Sequence, residues 1–247
     1  MLSKGEKLNE LKRLRTLPML ERPQTVRLKF QKVGSLQYIS HLDLQRTFNR
    51  VIARACIPVW YTKGFNPHAK LVFSTPLSVG AQSRCEFLDI RIDRHMDCCE
   101  IMDRLNQELT DELRILDAYI PTHDFSEIGW ASYELEFFCE GCSEELGSKI
   151  KELLTGAPFY MVKKTKSGEK EVDLIPMIRD VETRYFEETG ILRLSVLLRA
   201  SSTEFLNPEL LISGLKQRLD ILSGDPMKET YTVMRTAILK EDLTLFS

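Results

Sequence analysis

The chain has 247 residues, 43% of them hydrophobic and 28% charged, an ordinary globular composition with room for one large or two smaller domains. Its apolar runs fall well short of the roughly 18 residues of a membrane span. The opening "MLSKGEKLNELKRLRTL" is charged where a secretory signal would be apolar, so a cytoplasmic protein with no membrane contact is expected. The formal net charge of −2 hides a division: residues 1–70 hold 14 Lys/Arg against 4 Asp/Glu, leaving 34 − 14 = 20 and 36 − 4 = 32 for the rest, or +10 against −12. Such polarity suits an anionic partner, and it suits equally a basic front paired with an acidic back.

Residues 3–17 are predicted as a short helix, because Leu8, Leu11 and Leu14 recur at steps of three among Lys and Arg. Pro18 and Pro23 mark a linker, which makes residues 1–25 an arm appended to the core. "VRLKF" (26–30) alternates apolar and basic residues as a half-buried strand does, and Gly34 and Ser35 turn the chain. "HLDLQRTFNRVIARAC" (41–56) reads as an amphipathic helix. Its apolar face carries Leu44, Phe48, Val51 and Ala55, and the opposite face carries Arg46, Arg50 and Arg54. A short strand near 59–61, a polar loop and a strand at 70–74 follow. "EFLDIRI" (86–92) is a strand, 97–109 a helix and "LRILDAYI" (113–120) a strand.

The second half repeats this order. Strands are expected at "YELEFF" (133–138), "FYMVKK" (159–164), "EVDLI" (171–175), "LRLSVLL" (192–198) and "YTVMRTAIL" (231–239). Helices are expected at 143–154 and 207–219, the latter capped by Asn207 with Pro208 in its first turn. The expected class is α+β: two consecutive ferredoxin-like (βαββαβ) units, 26–123 and 124–247, with antiparallel sheets and helices on one face.

In "SHLD" (40–43), Ser40 and Asp43 have the spacing of a helix cap. His41 falls in the first turn, where the helix dipole opposes a positive charge and favours the neutral ring, open to a ligand or a proton. The arginine stripe is either a phosphate contact or a solvated face. In "KGFNPHAK" (63–70), Gly64, Asn66 and Pro67 are accounted for by turn chemistry. Lys63, Phe65, His68 and Lys70 are not. Phe65 either stacks on a base or packs on the domain, and His68 supplies a second imidazole that would complement His41 if the two converge. Ser83, Glu86 and Asp89 lie close in sequence, but the odd separation of Glu86 and Asp89 sends them to opposite faces of a regular strand. Cys56 reads as core. Cys139 and Cys142 form one CxxC without the second pair of a zinc ribbon, so a plain strand end is preferred to a thioredoxin-like motif. Neither a Gly-rich phosphate loop nor a three-cysteine cluster for an iron–sulfur centre is present, and no metal or cofactor is expected on this chain.

Taken together, the run from Val26 to Ile90 resembles the bacterial radical-SAM-linked domain family of unknown function. The matching features are Phe30–Gly34, "SHLD", "GFNPH" with its following Pro-Leu-x-x-Gly, and Ser83, Glu86 and Asp89. "VDLIPMI" (172–178) and the late "MRTAIL" extend the resemblance to roughly residues 26–240, while Ala69 stands where a proline is common. Members of that family occur beside, or fused to, radical-SAM proteins with a cobalamin-binding domain. The resemblance therefore implies an accessory role, with RNA modification as its setting and the radical-SAM cofactors held by the partner. The leading expectation is a non-catalytic module that binds tRNA or rRNA and presents it to that partner. Its binding residues would be His41, Arg46, Arg50, Arg54, Lys63, Phe65, Asn66, His68 and Lys70. Ser40, Asp43, Gly64, Pro67, Ser83, Glu86 and Asp89 would support them. Two alternatives stand beside it: an enzyme using His41 and His68 on RNA or a phosphorylated small molecule, and an interaction module whose loop docks on the radical-SAM partner.

Overall fold

The computed structural model describes residues 4–165, 168–225 and 227–247, so the middle of the predicted basic turn (166–167) lies outside the described residues. The chain is α+β and divides into two compact units, one ending at Phe125 and one spanning Ser126–Phe246. Among the described residues no helix is long and apolar enough to cross a membrane.

The first unit runs α1 (Lys4–Thr16), β1 (Met19–Lys32), α2 (His41–Arg54), β2 (Val72–Phe73), β3 (Ala81–Arg94), α3 (Cys98–Asn106) and β4 (Leu113–Tyr119). Its strands lie in the order β4-β1-β3, with β2 also paired to β3, and each of these pairs is antiparallel. Strand alternation turns Val26, Leu28 and Phe30 of β1 and Leu88, Ile90 and Ile92 of β3 to one face. There they meet Leu44, Phe48, Val51 and Ile52 of α2 and Ile101 and Leu105 of α3. Phe30 and Phe48 pack edge-on with ring centroids 5.0 Å apart.

The arm is not an appendage. Arg13 donates to both carboxylate oxygens of Glu100 (2.8 and 3.3 Å), Arg104 donates to Glu10 at 2.6 Å, and Leu14 is buried in the core cluster. Charges that look solvating in sequence thus fasten α1 to α3. Nor is 18–25 a linker, since β1 starts at Met19 and contains Pro23. The pairing with β3 skips between Met19 and Gln24, and that irregularity accommodates a residue with no N–H to donate.

The two predicted strands at 59–61 and 70–74 are pieces of one outer strand along β3. Val59 bridges Ile92, the Trp60 N–H donates to the Arg91 carbonyl (2.8 Å), and Val72 and Phe73 pair with Asp89 and Leu88. Between them the chain leaves the sheet as a loop closed at its base by the Tyr61–Ala69 bridge.

The second unit runs β5 (Ile128–Phe138), α4 (Glu144–Thr155), β6 (Tyr160–Thr165), β7 (Gly168–Asp173), β8 (Ile178–Phe186), β9 (Ile191–Arg199), α5 (Pro208–Leu219) and β10 (Thr230–Lys240). The main strands lie in the order β10-β5-β9-β8, and β6 and β7 form a separate hairpin. Asn207 caps α5 by accepting the Glu209 N–H (3.0 Å). Strand β8 was not anticipated. In "IRDVETRYF" only Ile178 and Val181 are buried, Asp180 has φ +48°, and the register with β9 shifts between Arg179 and Glu182. That irregularity breaks the period of two by which a strand is recognised.

Candidate nucleic-acid interface

Helix α2 begins as its sequence requires. Ser40 Oγ accepts the Asp43 N–H (3.1 Å) and donates to Asp43 Oδ2 (2.7 Å). The Asp43 carboxyl is held below its usual range first by that hydroxyl and then by Arg46. Ser40→Ala removes both hydrogen bonds and is expected to cost about 1 kcal/mol, measurable by thermal unfolding. The His41 ring stands edge-on to Phe73, centroids 4.9 Å apart, and with Gln45 and residues 71–76 it lines a cleft of ≈ 420 Å³. The Ser74 hydroxyl is buried without a hydrogen-bond partner among the described residues.

The arginine stripe is not three free cations. Arg46 pairs with Asp43 at 3.1 Å, and Arg54 pairs with the Glu108 carboxylate at 2.8 Å, just beyond the end of α3. Of the three, Arg50 alone makes no ion pair among the described residues and is exposed.

The loop beyond α2 is braced from within. Gly64 has φ +143°, a backbone that side-chain-bearing residues rarely adopt. The Thr62 N–H donates to the His68 carbonyl (3.0 Å), and the His68 N–H donates to Thr62 Oγ1 (3.2 Å). His68 Nδ1 lies 3.1 Å from the Asn66 carbonyl and 3.2 Å from Thr62 Oγ1. His68 is therefore a brace of the loop, while His41 belongs to the cleft beside α2. Phe65 does not pack on the domain: its side chain is fully exposed, at 112% of the reference value. Lys63 and Lys70 are exposed too and make no ion pair among the described residues.

On the other face of the sheet, register builds a site that sequence reasoning missed. Val72 lies opposite Asp89, Asp89 opposite Arg27 and Arg27 opposite Tyr119, one row across four strands on the face away from α2 and α3. Arg27, only 1% exposed, donates from Nε to Asp89 Oδ1 (2.7 Å) and from Nη2 to Oδ2 (2.9 Å). Its guanidinium also lies 4.1 Å from the Phe125 ring centroid. Burial pushes the Tyr119 phenol up, partly offset by Arg27. Thr25 faces Arg91 in the next row. A cleft of ≈ 320 Å³ lies over these rows, lined by Thr25, Lys70, Val72, Asp89, Arg91, Asp124 and Phe125. A second cleft of ≈ 340 Å³ shares Thr25, Asp89 and Asp124 with it.

Lys70 and Asp89 thus line one cleft, whereas Ser83 and Glu86 do not. Both are buried, and Glu86 pairs with Phe30, on the core face. The alternation in "TVRLKF" and "LDIRI" already places Thr25 with Arg27 and Asp89 with Arg91. Only the pairing register brings the two sets together.

Cys139 and Cys142 approach to 3.3 Å between sulfurs. Burial, then the hydrogen bond with Cys142, pushes the Cys139 thiol up to about 12, opposite to the depression that favours thiol exchange. Among the described residues no group of three or more His, Cys, Asp or Glu is placed to hold a metal ion.

Residues 25–208 match the model of a family described as an uncharacterized protein conserved in bacteria (DUF2344). No curated protein matches the chain. Among solved structures, an unknown protein from Galdieria sulphuraria is 11% identical with a TM-score of 0.25, over 87% of this chain and 99% of that one. A DypB variant from Rhodococcus jostii RHA1 in complex with heme is 12% identical with a TM-score of 0.20, over 88% and 95% of the two chains. Likenesses this slight carry no statement about fold or ligand.

Proposed function

This chain belongs to DUF2344, a family of uncharacterized bacterial proteins, and we propose that it is an accessory module of a cytoplasmic radical-SAM system, binding structured RNA and presenting it to a separate radical-SAM protein. The partner enters from the resemblance of "SHLD" and "GFNPH", and the RNA reading from the surface chemistry. One observation carries the latter: Phe65 is wholly in solvent on a loop that its own hydrogen bonds hold out from the sheet. Leaving a phenylalanine unburied forgoes roughly 2 kcal/mol, which a stacked base would recover. Lys63 and Lys70 flank it and Arg50 lies on the preceding helix, a pattern suited to unpaired bases and their phosphates. The His41–His68 enzyme reading gains nothing from this geometry, because His68 is engaged in the loop.

The same proposal includes two ferredoxin-like units. The strand orders β4-β1-β3 with β2 outermost, and β10-β5-β9-β8, support that reading, each following the alternation of strands and helices along the chain.

Titrating transfer RNA at several salt concentrations tests the function. With Arg50, Lys63 and Lys70 as the phosphate contacts, the affinity should fall with salt at a log–log slope of about −2 to −3. Absence of salt-dependent binding at low micromolar protein would overturn the RNA reading.

A further inference from the structure

We infer that the cleft on the sheet face away from α2 and α3 is a subsite for one nucleotide, which deepens the RNA reading and rests on it. At ≈ 320 Å³ the cleft falls at the lower end of the roughly 300–1,000 Å³ typical of small-molecule pockets, a size for a single nucleotide rather than a folded strand. Its charges set the ligand's chemistry. Arg27 and Asp89 engage each other through two hydrogen bonds, and Lys70 and Arg91 are the further cations lining the space. Lys70 and Arg91 make no ion pair among the described residues. A complementary ligand therefore combines an anion with an apolar or aromatic part, which would face Val72 and Phe125. A nucleotide has this combination, with its phosphate for the cations and its base for the apolar wall.

The position fits as well. Lys70 belongs to both the loop and the cleft, and four residues separate it from Phe65, at most about 18 Å of extended chain. A base stacked on Phe65 and a nucleotide in the cleft would thus lie close together on one strand. Chemistry on a base requires it to leave the stack, and a pocket for one extruded nucleotide is what a presenting module would hold.

Calorimetric titration of the full chain with the four ribonucleoside 5′-monophosphates, their unphosphorylated nucleosides and free α-amino acids tests the subsite. The monophosphates should bind, while the nucleosides should bind more weakly. Arg91→Ala, at an exposed position, should weaken monophosphate binding about tenfold. The subsite is refuted if no monophosphate binds at millimolar concentration, if Arg91→Ala has no effect, or if only α-amino acids bind. Transfer RNA binding without monophosphate binding would leave the RNA reading standing and remove the subsite. Monophosphate binding through Arg91 without RNA binding would do the reverse.

Discussion

Asp89→Ala is expected to destabilise the protein by about 3 kcal/mol or more, the cost of leaving a buried charge without its partner. Arg27 is 1% exposed, and Asp89 takes two of its hydrogen bonds in a side-by-side geometry. The Phe125 ring at 4.1 Å favours the cation but does not neutralise it. Asp89→Asn keeps the shape and an acceptor but loses the charge, so it should fall between wild type and the alanine variant. Replacing both partners, Arg27→Met with Asp89→Leu, should recover much of the loss, because an apolar pair no longer demands solvation. Denaturant unfolding of the four proteins decides it. A loss below about 1 kcal/mol for Asp89→Ala would show that other contacts of Arg27 carry its charge. Asp89 also lines the proposed nucleotide cleft, so unfolding should be measured before any loss of binding is interpreted.

The same pair shows where sequence reasoning stops. Helix α2 was legible because the positions of Leu44, Phe48 and Val51 and the Ser40–Asp43 cap are local facts, settled within one or two turns. The turn chemistry of Gly64, Asn66 and Pro67 was legible for the same reason. What escaped were contacts between residues far apart in sequence: Arg54 with Glu108, Arg27 with Asp89, and Arg13 with Glu100. Each converts a residue that looks like a free surface charge into part of the architecture. Three of the 14 Lys/Arg of residues 1–70 are matched in this way by acids from 71 onward, so the internal-pairing reading of the charge division holds for these arginines. The anion-binding reading narrows to Arg50, Lys63 and Lys70, joined by Arg91, which no local pattern marked.

Phe65→Ala should separate binding from folding more cleanly than any other change in the chain. The side chain is fully exposed, so its removal should leave the unfolding midpoint unchanged. If a base stacks there, RNA affinity should fall by about 1–3 kcal/mol, roughly 5- to 150-fold, and Phe65→Trp should retain or improve it. Fluorescence anisotropy with labelled transfer RNA at fixed salt measures this directly. Lys63→Ala acts through a different term: it should weaken binding by a similar factor for all RNA sequences and reduce the magnitude of the salt slope by about one. The two effects should be distinguishable because stacking leaves the slope unchanged while loss of a phosphate contact does not. If Phe65→Ala binds RNA as wild type does yet no longer co-purifies with a radical-SAM partner, the loop is a protein-docking element. Its lysines would then steer that association instead. The two readings give the exposed ring different covering partners, and these variants distinguish them.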